Sequence, residues 1–141
     1  MVVDFNHLNL ADVNPDVELL PEGEYEFRVV GAEMKSYTAK NEDGSEEEKS
    51  FASFKFAVVN DPEQNGRMVY TSVFPNKMGA RGLRNLQDAT GITQTSPALK
   101  DWLADLVQAQ ASFIAPVTHG FNKKTQKPQV DVRLVNARPV A

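Results

Sequence analysis

The chain contains no cysteine in its 141 residues. Disulfides, thiolate metal centres and cysteine nucleophiles are excluded, and a reducing compartment is favoured. Histidine is scarce as well. His7 and His119 are the only two, and neither has a third ligand or a nucleophile at a recognisable spacing. Met78-Gly79-Ala80-Arg81-Gly82 lacks the Lys-Ser/Thr pair that a phosphate-cradling loop requires. The Glu46-Glu47-Glu48 run lacks the glycine and alternating oxygen ligands of a calcium loop. No segment approaches the roughly 20 apolar residues that span a bilayer. Met1-Val2-Val3-Asp4-Phe5 has no basic region of a signal peptide. These absences predict a soluble, cytoplasmic protein with no cofactor, no metal, no membrane partner and no catalytic role.

Charge is divided unevenly along the chain. Residues 1–63 carry five Lys/Arg against fifteen Asp/Glu, and residues 64–141 carry ten against four. The net charge of −4 therefore hides an acidic half and a basic half. Association with a polyanion follows the local field and not the whole-chain sum, so the division is compatible with a nucleic-acid face. It is equally compatible with head-to-tail self-association into a homo-oligomer.

Residues 1–21 have no Lys or Arg, and two X-Pro steps, Asn14-Pro15 and Leu20-Pro21, disfavour helix before each proline. With Phe5, Leu8, Leu10, Val13 and Val17, they read as an acidic arm packed on the body or on a neighbouring subunit. Alternation then predicts a strand from Tyr25 towards Tyr37, with Tyr25, Phe27, Val29 and Gly31 on one face. Gly31 in mid-strand suggests a bulge. A polar loop from Lys40 to Lys49, turning at Asp43-Gly44, leads to a second strand from Ser50 to Asn60. Asn65-Gly66 marks the next turn, and Arg67 to Phe74 the third strand. Leu83, Leu86 and Ala89 recur at helical spacing before a C-cap at Gly91. Ser96-Pro97 should open a second helix as N-cap and first helical residue, with Leu99, Trp102, Leu103, Leu106 and Val107 as its apolar stripe. Ala111 to Phe121 and Gln129 to Asn136 read as the fourth and fifth strands, joined by the basic turn from Asn122 to Pro128.

Three strands, two helices and two strands is the element order of a five-stranded OB-like Greek-key barrel, mainly β, with its helices between strands 3 and 4. The predicted organisation is an arm over residues 1–21, the barrel over 22–137 and a short tail over 138–141. Such a barrel holds single strands across its second and third strands, between the loops after strands one and four. Binding there needs cations that track phosphates and aromatic faces on which bases stack. The candidates in those places are Lys35, Tyr37 and Lys40 at the first loop, then Phe51 and Lys55 on strand two. Tyr70 and Phe74 on strand three are followed by Lys77 and Arg81. Phe121, Lys123, Lys124 and Lys127 surround the last loop. Tyr25, Phe27, Phe54, Phe56 and Trp102 are read as core. For Phe51, Tyr70 and Phe74 two roles stay open, stacking platform and secondary core. Lys123, Lys124, Lys127 and Arg81 also fit plain solvated positions.

Leu20-Pro21-Glu22-Gly23-Glu24-Tyr25 resembles the opening Leu-Pro-x-Gly-x-Tyr strand of small phage and prophage proteins encoded in replication and recombination clusters. Asn65-Gly66-Arg67-Met68-Val69-Tyr70, and the helix ending Ala89-Thr90-Gly91, are similar to the same family's third strand and first helix. The resemblance spans roughly residues 20–135, and its motifs are short and structural. It implies an OB-fold protein that binds single-stranded DNA beside phage replication or recombination proteins, without enzymatic activity. The chain departs from bacterial single-strand-binding proteins in ending Asn136-Ala137-Arg138-Pro139-Val140-Ala141, not in an acidic, Phe-ended tail. A non-catalytic adaptor or phage structural module, using the same barrel for protein contacts, is the alternative.

Overall fold

A bulge in the first strand sets the geometry of the whole sheet. The computed structural model describes residues 19–122 and 126–140. Most of the acidic arm (residues 1–18) and two of the candidate lysines, Lys123 and Lys124, lie outside them. Strand β1 is Gly23–Lys40, β2 is Glu46–Val59 and β3 is Met68–Val73. Helices α1 (Lys77–Thr90) and α2 (Leu99–Gln108) follow, then strands β4 (Ser112–Asn122) and β5 (Lys127–Val132). The strands form one antiparallel sheet in the order β3-β2-β1-β4-β5.

In β1 the register against β2 slips between Val29, opposite Phe56, and Gly31, opposite Lys55. The extra residue is Val30, at the place where Gly31 signalled a bulge. One inserted residue reverses which side chains face the core. Before it, Phe27 and Val29 are buried. After it, the even-numbered Ala32 and Met34 pack on the core while Glu33 and Lys35 are exposed. The core gathers Phe27, Phe54, Phe56 and Phe113 with Leu86, Leu103 and Leu106 of the helices. Trp102 is buried there as expected, and its indole N–H donates to the Ile92 carbonyl at 2.7 Å. Tyr25 borders the core and donates its hydroxyl to the Pro21 carbonyl at 2.8 Å. Burial, together with Asp61 and Glu63, raises its pKa.

Helix α2 packs on β1, and α1 packs on β3, β4 and the segment after β5. The N-cap of α1 is Asn76, whose side chain accepts from the Gly79 N–H at 2.7 Å. Gly91 ends the helix at φ 73°, as its position promised. Asn76→Ala should lower stability by about 1 kcal/mol, measured by urea unfolding. Asn85 ties α1 to the end of the chain by donating to the carbonyls of Leu134 (2.8 Å) and Ala137 (2.7 Å).

Five features differ from the sequence expectations. The loop after β1 is only Asn41–Ser45, because β1 and β2 continue as a two-stranded ribbon in which Lys40 faces Glu46. Gly44 at φ 86° and the Asp43 carboxylate, which accepts from both the backbone N–H and hydroxyl of Ser45, make that turn tight. These bonds hold the Asp43 carboxyl below its usual range. Helix α2 starts at Leu99 and not at Pro97, because Ala98 is extended and Ser96 closes a turn by accepting from the Ala98 N–H. The fifth strand stops at Val132, and Leu134–Asn136 is a 3-10 turn held by Asn136 N–H to Arg133 O and Ala137 N–H to Leu134 O. Among the described residues the sheet is not closed, since β3 and β5 share no ladder and stand at its two ends. Arg138, assigned above to the tail, instead borders the sheet through two backbone hydrogen bonds with Ile114.

Candidate nucleic-acid interface

The outward rows of β1, β2 and β3 form a grid. Lys35 faces Phe51, Glu33 faces Ser53, and Gly31 faces Lys55. Ser53 in turn faces Ser72, and Lys55 faces Tyr70. The bulge is what brings β1 into this grid. Had the alternation of Tyr25, Phe27 and Val29 continued unbroken, Lys35 and Tyr37 would have turned to the core side.

Three candidate aromatics meet at one corner. Phe51 and Phe74 stack with centroids 5.2 Å apart and planes 25° apart, and Tyr37 stands edge-on to both, at 5.8 and 5.6 Å. Phe74 keeps 45% of its surface exposed, so the cluster is a surface feature and not a second core. Farther along, the Lys55 ammonium lies 5.7 Å from the centre of the Tyr70 ring, whose residue is 68% exposed. Such a cation–π contact contributes about 0.5–1 kcal/mol at an exposed site. Helix α2 walls the grid on the β1 side, where Ala104, Val107 and Gln108 join Lys35, Lys55 and Tyr70 around a groove of about 630 Å³.

The remaining candidates scatter. Lys77 begins α1 beside Phe51 and Phe74, and Arg81 is exposed one turn farther on. Lys40 is separated from the grid: it lies three residues past Tyr37, on the opposite row of the ribbon, facing Glu46. Glu33 lies 3.5 Å from Lys35 and offsets part of its charge. Phe121 is exposed at the end of β4, and Lys127 begins β5. Phe121, Tyr70 and Phe74 line a common cleft between β3 and β5. Met68 (half-exposed), Arg67 and Arg133 also line it. None of these three was among the sequence candidates, although Met68 alternates in phase with Tyr70.

The glycines on either side of Arg81 have a packing role. A Cβ on Gly79 would fall on the Phe74 carbonyl oxygen and 3.1 Å from Val73, and one on Gly82 would meet Leu134 at 3.3 Å. Gly79→Ala should therefore push α1 away from the end of β3 and cost about 2–3 kcal/mol in urea unfolding.

Among the described residues, no group of three or more His, Asp or Glu is placed to hold a metal ion, and no helix is long and apolar enough to cross a membrane. No protein-family model matches the chain, and no curated protein matches it significantly.

Proposed function

We propose that this chain is a single-stranded-DNA-binding protein on an OB-like barrel, working without covalent chemistry beside phage replication or recombination proteins in the host cytoplasm. The aromatic grid carries the reading: Tyr37, Phe51, Phe74 and Tyr70 lie on one face with Lys35 and Lys55 among them. Ring faces for bases with cations between them are what sequence-tolerant strand binding requires. The strand order supports the barrel, because β3-β2-β1-β4-β5 would become a ring if β3 met β5, and both line one cleft. The element order and the resemblance of residues 20–135 to the phage family point the same way.

The test is an oligo-dT titration across salt. Affinity should fall linearly on a log–log plot, with a slope of about −0.7 per neutralised phosphate. Three or four contacts from Lys35, Lys55, Lys77 and Arg81 correspond to a slope of about −2 to −3. Absence of binding even at low salt would favour the adaptor reading, in which the same exposed rings contact protein.

A further inference from the structure

Strands β3 and β5 end the sheet on its two sides, with no further strand paired to either among the described residues. They border an open cleft of about 1070 Å³. Met68, Tyr70 and Phe121, three of the most exposed large apolar side chains described, lie along it. Arg67 and Arg133 add positive charge, against a single carboxylate at Asp131, which accepts from the Gln129 amide at 3.1 Å. Thr71 also lines the cleft, and its buried hydroxyl oxygen has no hydrogen-bond partner. A slot between two strand edges, apolar and net cationic, fits an extended segment that is apolar and acidic.

The chain carries such a segment and delivers it to this place. Leu19 and Leu20 line the cleft. Leu20 is 1% exposed, and its carbonyl accepts from His119 Nε2 at 2.7 Å, so the chain is pinned at the mouth. Residues 1–18 precede it directly. They contain Asp4, Asp12, Asp16 and Glu18, no Lys or Arg, and Phe5, Leu8, Leu10, Val13 and Val17. At about 3.3 Å per extended residue they reach much farther than the six-residue β3.

We propose that residues 1–18 dock in the cleft between β3 and β5 of their own chain, as a strap that covers Tyr70 and competes with nucleic acid. The docking stands apart from the nucleic-acid reading; the competition rests on it.

Because the chain lacks cysteine, Asn9→Cys accepts a nitroxide label at one position. In the full chain the label should broaden amide resonances of residues 68–72 and 129–133. When the nitroxide is carried on isotopically silent chains mixed with labelled wild-type chains, the broadening should vanish. Broadening that persists in the mixture would assign the cleft to a second copy and overturn the proposal, as would no broadening in either sample. Saturating oligo-dT should relieve it, and broadening unchanged with oligo-dT bound would overturn the competition. The full chain with Asp4→Asn, Asp12→Asn, Asp16→Asn and Glu18→Gln should bind oligo-dT about fivefold more tightly at low salt, with the gain lost at high salt. If neither chain bound oligo-dT, the function proposed above and the competition would fall, while broadening by the label would still decide the docking.

Discussion

Replacing Tyr70 and Phe74 together by alanine should weaken oligo-dT binding about 100-fold and leave its salt slope unchanged. Each base–aromatic stack contributes about 1–3 kcal/mol, so losing two removes at least about 2 kcal/mol, and 100-fold corresponds to about 2.7 kcal/mol. Phe74 shares its face with Phe51, which sets the expectation near the low end of that range. Both residues are well exposed, so the fold should survive. Loss of the Phe74 contacts with Phe51 and Tyr37 should lower stability by about 1 kcal/mol, visible as a small shift in the urea midpoint. The complementary variant, Lys35→Ala with Lys55→Ala, should flatten the slope by about 1.4 through loss of two phosphate contacts. Affinity and slope both unchanged in the two variants would remove the outer face of β1–β3 from consideration as the interface.

The face could be read in the sequence only in pieces. The alternation of Phe51, Ser53 and Lys55 against Phe54 and Phe56, and of Tyr70 and Phe74 against Val69 and Val73, assigned the outward rows of β2 and β3, because period-2 patterning follows directly from the pleat. The same logic extended along β1 sends Lys35 and Tyr37 inward. Gly31 marks a break in that pattern, but a break does not say how many residues are inserted. Only the register, with Val30 unpaired between Val29 and Gly31, shows that the row changes face. Alternation failed at β5 for another reason. Val132 and Leu134 are both buried, and burial at every second residue does not distinguish a continuing strand from a strand that turns at Arg133 into a 3-10 step. Gly79 and Gly82 were legible as the wrong kind of glycine for a phosphate loop. Their actual constraint, contact with the Phe74 carbonyl and with Leu134, is tertiary and leaves no local signature. Charge was the least informative guide. The lysines of the basic half do not all gather on one face, and Lys40, drawn from the acidic half, ends among the glutamates of the ribbon.

Phe56→Ala should cost about 3–5 kcal/mol of stability. Phe56 is fully buried, and its ring sits 5.0 Å from Phe113, 5.4 Å from Phe54 and 6.0 Å from Phe27. It also lies opposite Val29 on β1 and Val69 on β3. Truncation therefore opens a cavity where inward rows from β1, β2, β3 and β4 converge, and neighbours held on a paired sheet cannot collapse into it. Domains of this kind are stable by about 5–15 kcal/mol, so the loss is about a fifth or more of the total. Urea unfolding should show a lowered midpoint with an unchanged slope, the signature of lost stability without a change in the unfolding transition. Phe56→Leu keeps most of the volume and should cost under about 1.5 kcal/mol. Its neighbour Lys55 lies one step along the same strand, on the other face. Lys55→Ala should leave the midpoint nearly in place and change the salt slope for oligo-dT by about 0.7. Adjacent residues with opposite phenotypes are what a sheet with one buried and one binding face requires. Equal effects of the two substitutions on stability would show that the outer face is also packed, and that the proposed interface is a covered one.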